Sequence, residues 1–366
     1  MHELSEPIAV ALIGYGFAGR TFHAPLISAV GGLALTRVAS SDAGKVHADL
    51  PAVDVVSDPM RAATDPDIGL VVIASPNDSH VPLARAALEA GKHVVVDKPF
   101  TPSLRDARQL AAPAERQQRV LAVFQNRRWD SDFLAIRYAI DNGLIGDVKH
   151  LESRLERFRP QVRERWRERS GPGSGLWWDL GPHLVDQALQ LFGLPDTVQA
   201  DLATQRDGAT TDDWAHVVLG FGSVRAVLHA GMLSAIPAAR FVVHGTRGSA
   251  IKQQPDPQEA QLISGMRPGD AEWGVDSDDL VLHDGVTHTR IPTPRGDQSR
   301  FYAHLCDALH GKGSNPVTPS EAVAVTAVLE AAVQSAAHGR TTSLELDDGE
   351  RAAFERDRQR HRQHGR

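Results

Sequence analysis

Lys98 follows a run of three valines in the stretch HVVVDKPF, residues 93–100. Consecutive valines predict a strand that is buried on both faces, as in a parallel sheet. Pro99 fixes its own φ angle and restricts Lys98 to extended conformations, so the backbone would limit the direction of the ammonium group. Such a lysine could stabilise negative charge on a reacting oxygen. Taken alone, the stretch is more typical of a surface lysine at the end of a strand.

An aspartate–histidine pair lies in a second chemically promising segment, GPGSGLWWDLGPHLVDQ, residues 171–187. Asp179 is a good N-cap residue, and Pro182 would then be tolerated early in the helix. His183 follows Asp179 by four residues and would share its helical face, apart from the apolar stripe of the same helix. A carboxylate and an imidazole on one face could carry out proton transfer. A helix cap with a surface histidine fits the pair equally well.

Three glycines follow the first apolar run in GYGFAG, in the spacing G-x-G-x-x-G. Gly14 allows a tight turn, Gly16 lets the backbone approach a pyrophosphate, and Gly19 lets the next helix pack closely. Phe17 is a further predicted cofactor contact, and the helix that begins near it would direct its N–H groups and positive dipole end at the phosphates. This position between a strand and a helix predicts dinucleotide binding.

The ribose end of such a site would lie after the second strand, at Ser40, Ser41 and Asp42. An acidic residue at this point binds the ribose 2′-hydroxyl and favours NAD. Serine hydroxyls, with Lys45, would instead bind a 2′-phosphate and favour NADP. Asp42 could equally be an ordinary turn residue, and the sequence leaves these alternatives open.

Another strand ends in ASPNDSH, residues 74–80. Ligands of doubly wound sheets bind beyond the carboxyl ends of the strands. Ser75, Pro76 and Asn77 would therefore border the nicotinamide ribose. His80 either contacts the cofactor or is a polar residue in the first turn of the next helix.

The order of predicted elements divides the chain into three parts. Strands and helices alternate over residues 1–124, which predicts a Rossmann domain with a doubly wound parallel sheet. Strands follow one another more directly in residues 125–350, which favours an α/β domain with a large open, mainly antiparallel sheet. Residues 351–366 are charged throughout and predict a disordered tail, because they bury too little apolar surface.

Composition excludes several classes of protein. The formal net charge is −7, so no general positive field favours nucleic acid or an anionic membrane. In RFRPQVRERWRERS, residues 157–170, glutamates interleave with arginines, which favours a solvated or substrate-covering loop over a nucleic-acid site. No apolar run is long enough to span a bilayer, and no signal peptide is evident. No close cluster of His, Cys and Glu indicates a metal site.

Cys306 is the only cysteine, so an intrachain disulfide is impossible and a reducing, cytoplasmic location is expected. It lies in the helical pattern FYAHLCDAL, where a buried structural thiol is expected rather than a nucleophile.

Together these motifs resemble the Gfo/Idh/MocA family of NAD(P)-dependent oxidoreductases over nearly the whole chain. The similarity includes GYGFAG, Asp97–Lys98–Pro99 and the D-x-G-x-H motif from Asp179 to His183. The segments FHAPLI, FQNRRWDSDF and FGLP resemble the branch that contains NADP-dependent scyllo-inositol dehydrogenase. Asp97 stands where many members have glutamate.

The resemblance implies reversible oxidation of a secondary hydroxyl on a polyol, cyclitol or sugar, with NAD or NADP and a slight preference for NADP. Lys98 would lie near the nicotinamide and the reacting hydroxyl, and His183 would transfer the proton with the help of Asp179. Homodimers or homotetramers would form through the C-terminal sheet. Further residues implied at the cofactor or substrate are Pro99, Asn126, Arg127, Trp166 and Tyr302. An NAD-dependent glycosidase and a non-enzymatic nucleotide-sensing regulator are the alternatives on this scaffold.

Overall fold

The computed structural model describes residues 6–164 and 168–364. A six-stranded sheet forms the first domain, and its strands are β1 (Ile8–Ile13), β2 (Leu33–Ala39), β3 (Asp54–Val56), β4 (Leu70–Ile73), β5 (His93–Val96) and β6 (Leu121–Val123). All neighbouring strands are parallel, in the order β3-β2-β1-β4-β5-β6. The winding therefore reverses between β1 and β4, and a ligand crevice is expected beyond the carboxyl ends of these strands.

The valine run forms the strand that the sequence predicted. The side chains of Val94, Val95 and Val96 are fully buried in β5, between β4 and β6. The helices of this domain are α1 (Ala24–Ser28), α2 (Ala43–Asp49), α3 (Pro59–Ala63), α4 (His80–Glu89) and α5 (Leu104–Arg116). A π-helical turn, Gly19–His23, precedes α1, so the helix after the glycine loop changes geometry in its middle.

A second sheet of eight strands forms the rest of the core. Its strands are β7 (Val148–Glu156), β8 (Thr197–Ala203), β9 (Trp214–Phe221), β10 (Val224–Gly231), β11 (Phe241–Gly245), β12 (Ser249–Lys252), β13 (Leu280–His283) and β14 (His288–Ile291). The order is β14-β13-β12-β11-β7-β10-β9-β8, and only the pair β7–β10 is parallel. The prediction of a parallel sheet followed by a mainly antiparallel one is confirmed.

Six α-helices belong to the described part of the second domain. They are α6 (Ser131–Asp141), α7 (Leu176–Phe192), α8 (Gln258–Ile263), α9 (Arg300–Leu309), α10 (Pro319–His338) and α11 (Asp348–His364). Helix α7 packs on β7, β9 and β10, while α10 packs on β8 and also contacts α5 of the first domain. Cys306 is buried on α9, where burial raises the pKa of its thiol. Within the described residues, no helix has the length and apolarity needed to cross a membrane.

The charged C-terminal segment contradicts the prediction of a disordered tail, because it forms α11 and packs on α10. Phe354 is fully buried, and Arg358 donates a hydrogen bond to the Leu191 carbonyl at 3.1 Å. His361 lies 3.2 Å from the carboxylate of Glu321, which is itself buried. Burial of Phe354 and these polar contacts offset the entropy lost when the segment becomes ordered. The composition of the segment alone does not reveal these contacts.

His361 is expected to stabilise the fold in a pH-dependent way. Its Nδ1 faces Glu321 and its Nε2 faces the Asn315 carbonyl at 2.8 Å, so both nitrogens meet acceptors, as suits an imidazolium. Burial lowers the pKa of His361, but the bond to Glu321 outweighs it and raises the pKa above 6.5. The stabilisation is therefore complete below the unfolded-state pKa and is lost as the pH rises through the folded-state pKa.

We expect His361→Gln to lower the free energy of unfolding by about 1 kcal/mol at about pH 5.5, and by less at about pH 9. Urea unfolding at both pH values measures the difference. His338→Gln, at an exposed position on α10, is the matched control. An equal loss at both pH values would contradict a charged His361.

Candidate active site

Lys98 and Asp179 are 81 positions apart in the chain and in direct contact in the fold. The Nζ atom of Lys98 donates hydrogen bonds to the backbone carbonyl and to Oδ1 of Asp179, both at 2.9 Å. The two side chains are only 14% and 21% exposed, so water screens the ion pair weakly. The carboxyl end of β5 is thereby joined to the first turn of α7.

The start of α7 differs from the prediction, because Asp179 is not its N-cap. The helix begins at Leu176, with Gly175 at the N-cap position and Asp179 in the first turn. Asp212, which precedes β9, supplies the missing acceptor: its Oδ2 accepts a hydrogen bond from the Trp177 amide at 2.7 Å. Gly175 has a φ of 92°, and a Cβ there would lie 2.9 Å from the Asp212 carboxyl carbon.

Asp212 is a site residue that sequence reasoning missed. Burial raises the pKa of its carboxyl to about 6. A glycine at the N-cap with no side-chain acceptor could have suggested that another segment caps the helix. Capping from a distant loop leaves Asp179 available to Lys98.

His183 lies one turn beyond Asp179 on α7 and is 5% exposed. Its pKa is well below 6.5, because burial disfavours the charged form and the positive charges of Lys98 and Arg127 add to the effect. Its Nδ1 has no hydrogen-bond partner among the described residues. A buried, neutral imidazole of this kind is suited to accepting a proton.

A cavity of about 340 Å³ lies between the two domains, and most of the predicted catalytic residues line it. Residues expected to act on substrate or nicotinamide that line it are Phe17, Lys98, Asn126, Arg127, Asp179 and His183. These side chains come from the glycine loop, from the carboxyl ends of β5 and β6, and from α7. The parallel sheet and the second domain thus meet at one concave surface.

Arg127 is fixed at the cavity wall by several contacts. It follows β6 in the 3-10 turn Asn126–Trp129. Its guanidinium donates to Asp130 at 2.9 Å and to Glu259 at 3.1 Å, and Gln187 of α7 donates to its backbone carbonyl at 3.0 Å. A guanidinium held by two carboxylates keeps its position while ligands exchange.

The glycine loop borders a second cavity, of about 400 Å³, together with Ser40, Ser41, Asp42 and Ser75. Gly14 has a φ of 99°, and a Cβ there would lie 2.7 Å from the Ala74 carbonyl oxygen. A Cβ on Gly16 would meet no atom within 4 Å, so this glycine faces open space. The loop therefore has room for a phosphate group to approach its backbone closely.

Two models of one protein family match most of the chain. Residues 8–125 match the model of the oxidoreductase family NAD-binding Rossmann fold, and residues 137–345 match the C-terminal alpha/beta domain of the same family. The chain belongs to the Gfo/Idh/MocA family.

Several relatives of this Gfo/Idh/MocA protein align over almost their whole length. Uncharacterized oxidoreductase YdgJ of Escherichia coli K12 is 51% identical over 93% of this chain and 100% of its own. The scyllo-inositol 2-dehydrogenase (NADP(+)) IolW of Bacillus subtilis is 34% identical over 93% of this chain and 97% of its own. A crystal structure of a Klebsiella pneumoniae protein, 54% identical, covers 97% of this chain and 100% of its own, with a TM-score of 0.92.

The first domain of this Gfo/Idh/MocA protein is an NAD-binding Rossmann domain, and its cofactor is NAD or NADP. The glycine loop would hold the pyrophosphate. Asp42 caps α2 by accepting the Lys45 amide at 2.9 Å, and Lys45 Nζ donates to the Tyr15 carbonyl at 3.0 Å. Asp42 therefore caps a helix through one carboxylate oxygen, and both Ser41 and Asp42 are exposed beside the cavity.

His80 does not occupy the cofactor-facing position that the sequence suggested. It is 1% exposed, with Nδ1 3.0 Å from the Pro99 carbonyl and Nε2 3.0 Å from the Ser75 carbonyl. It therefore ties the loop after β4 to the loop that carries Lys98. Asn77 is also buried and donates to the Gly173 carbonyl at 2.9 Å, which joins the two domains.

The remaining residues that were predicted to contact the cofactor lie in different surroundings. Pro76 is exposed on the loop after β4, and Pro99 is buried behind Lys98. Trp166 lies outside the described residues. Among those residues, no cluster of three or more His, Cys, Asp or Glu side chains could hold a metal ion.

Tyr302 is fully buried, so the prediction that it contacts substrate is wrong in this structure. Its hydroxyl lies 2.5 Å from His23 Nδ1, and His23 Nε2 lies 3.8 Å from Asp97 Oδ1. That same oxygen of Asp97 accepts the Lys98 amide at 2.8 Å. Tyr302 and His23 thus form a buried support for the loop of residues 97–99, which carries Lys98 and is called the lysine loop below. Asp97 connects this support to Lys98.

Tyr302→Phe is expected to lower kcat/KM by about tenfold or less, because one neutral hydrogen bond behind the lysine loop is lost while the ring packing is kept. Cofactor affinity should stay the same. Tyr138→Phe, at an exposed tyrosine on α6, is the control. Steady-state kinetics with a parallel cofactor titration measure both quantities, and a loss confined to cofactor affinity would contradict the support role.

Proposed function

We propose that this protein is an NAD(P)-dependent dehydrogenase that reversibly oxidises a secondary hydroxyl of a polyol, cyclitol or sugar. The main support is the placement of Lys98, Asp179 and a neutral His183 in one cavity at the rim of the dinucleotide-binding sheet. The names of two relatives support the substrate class: the IolW dehydrogenase, and an inositol 2-dehydrogenase of Rhizobium meliloti that is 28% identical.

Lys98 supplies the electrostatic part of the mechanism. An ammonium group has three N–H donors, and two of them are directed at Asp179. The third is available for the substrate oxygen, whose negative charge grows as its proton leaves. Asp179 holds the ammonium group in place, so little reorganisation is needed when the substrate binds.

His183 accepts the hydroxyl proton. Its lowered pKa keeps the imidazole neutral and ready to act as a base. When bound, NAD or NADP would supply the redox chemistry as the hydride acceptor for the substrate's carbinol carbon. Burial of His183 and partial burial of the Lys98–Asp179 pair strengthen the electrostatic interactions at the site.

A cofactor-reduction screen tests this function. Purified protein is mixed with NAD or NADP and with inositols, aldoses or other polyols, and the absorbance of reduced cofactor is followed. We expect reduction with at least one cyclic polyol or sugar, and none when substrate or cofactor is omitted. Sugar release from glycosides without accumulated reduced cofactor would show a glycosidase instead. Cofactor binding with no turnover on any substrate would favour a nucleotide sensor.

We also propose that the open face of the second sheet pairs with another copy of the chain. One row across six neighbouring strands of this face carries half-buried side chains, which are Val218, Val227, Glu152, Val242, Ile251 and Val281. Five of these six are apolar, and a solvent-facing row of this kind is typical of an association surface. Light scattering after size-exclusion chromatography should give the mass of a dimer or tetramer, and Val227→Glu should reduce it.

A further inference from the structure

Residues 157–164 follow β7 and form a segment that we call the arginine loop. In the fold, its arginines and the neighbouring glutamates have different surroundings, although they alternate in the sequence. Arg157, Arg159 and Arg163 line the same cavity as Lys98 and His183. The glutamates that alternate with them in the chain do not line this cavity. The loop therefore presents arginine, rather than a balanced mixture of charges, to the site.

Two of the neighbouring glutamates have partners elsewhere, and Glu164 is exposed. Glu156 accepts hydrogen bonds from the Ser234 hydroxyl at 2.9 Å and the Ala238 amide at 2.8 Å. Glu168 pairs with Arg206 at 3.1 Å. Both carboxylates are thus bonded to residues that do not line this cavity.

Arg206 also fixes the backbone of the arginine loop. It is 6% exposed, pairs with Asp213 at 2.9 Å, and donates to the carbonyls of Arg159 at 3.2 Å and Gln161 at 3.3 Å. A buried guanidinium with this many partners holds the loop in one arrangement. Arg206 therefore restrains the backbone of the segment that carries the cavity-lining arginines.

Positive charge exceeds negative charge in the described lining of the cavity. The cations are Lys98, Arg127, Arg157, Arg159 and Arg163, and the acids are Asp97, Asp179 and Glu259. Lys98 pairs with Asp179, and Arg127 pairs with Glu259. Arg157 lies 4.0 Å from the other oxygen of Asp179, so a single carboxylate faces two cations. The low pKa of His183 reflects burial and the same positive surroundings.

We propose that the substrate carries an anionic group, a carboxylate or a phosphate, which Arg157, Arg159 and Arg163 bind while Lys98 and His183 act on a hydroxyl of the same molecule. Guanidinium groups match the planar oxygens of carboxylate and phosphate by paired hydrogen bonds. A sugar acid or sugar phosphate is small enough for a cavity of about 340 Å³. This inference rests on the proposed dehydrogenase function and narrows its substrate class.

Direct binding separates this inference from the proposed function, because it needs no turnover. Isothermal titration of the cofactor-saturated protein uses D-glucuronate, D-glucose 6-phosphate and uncharged D-glucose. We expect one anion to bind at least about tenfold more tightly than glucose, and salt to weaken that binding by screening. The better of the two anions identifies carboxylate or phosphate. Equal binding of all three, or no binding of either anion, overturns the inference.

Arg159→Gln and Arg163→Gln test the residues. Each should lower the affinity for the anion relative to glucose by about tenfold or more, as expected for a hydrogen bond to a charged group. Arg169→Gln, at an exposed position of the same segment, is the matched control and should leave the ratio unchanged. A loss of cofactor affinity in place of anion affinity would assign the arginines to the cofactor and overturn the inference. Reduction of NAD(P) by neutral polyols alone would refute the anionic substrate and leave the dehydrogenase function intact.

Discussion

Lys98→Met should lower kcat/KM for the best alcohol substrate by about 10²–10³-fold, the usual cost of removing one preorganised donor from a developing oxyanion. Methionine keeps the length and apolar stem of the side chain but has no charge and no N–H group. Substrate binding should change less than kcat, because the lost interaction is strongest in the transition state. Steady-state kinetics with saturating cofactor measure the effect.

Two controls make the Lys98 result specific. Lys312→Met removes an exposed lysine from the loop between α9 and α10 and should have no effect. Cofactor affinity of Lys98→Met should stay near that of the parent, whereas its thermal midpoint should fall because the largely buried Asp179 loses its ion-pair partner. Unchanged turnover would refute the role of Lys98, and an effect on cofactor affinity alone would make it a nucleotide-binding residue.

His183→Asn is expected to lower kcat by about 10²–10⁴-fold, the usual contribution of a positioned general base. Asparagine is polar and of similar size, so it disturbs the buried position less than alanine would. His288→Asn, at an exposed position on β14, is the control. Loss of cofactor binding with unaltered turnover at saturation would mean that the histidine has a structural role.

The pH dependence of turnover gives a second test of His183. Burial, followed by the positive charges of Lys98, Arg127 and Arg240, lowers the pKa of His183 well below 6.5. A base must be unprotonated, so kcat/KM for oxidation should stay high as the pH falls through 6.5 and decline only at lower pH. In Lys98→Met, loss of one positive charge should move that decline to higher pH. An acid limb at or above 6.5 in the parent protein would contradict the assignment.

Local patterns predicted much of the fold and part of the site. The glycine spacing, the valine run and the helical spacing of Asp179 and His183 depend on residues close together in the chain. Backbone sterics, strand burial and helix periodicity act over the same short range. Predictions of this kind agree with the structure: Gly14 has a positive φ, β5 is buried, and Asp179 and His183 line one cavity.

Predictions that depended on long-range contacts were less successful. Tyr302 and His80 carry polar groups suited to a ligand, yet both are buried and bonded to other parts of the protein. The cap of α7 comes from Asp212, and the charged tail forms a helix anchored by Phe354. Each outcome depends on a partner far away in the chain, which local propensity does not reveal.

By itself, the sequence determined which reactive groups are present and which strands and helices carry them. It specified Lys98 at the end of a buried strand and His183 one turn after Asp179. Only the tertiary structure decided that Lys98 contacts Asp179, that His183 is buried with a lowered pKa, and that Arg157, Arg159 and Arg163 line the same cavity. The physical reason is that burial and charge pairing depend on the whole surroundings of a group, and these surroundings come from segments that only folding brings together.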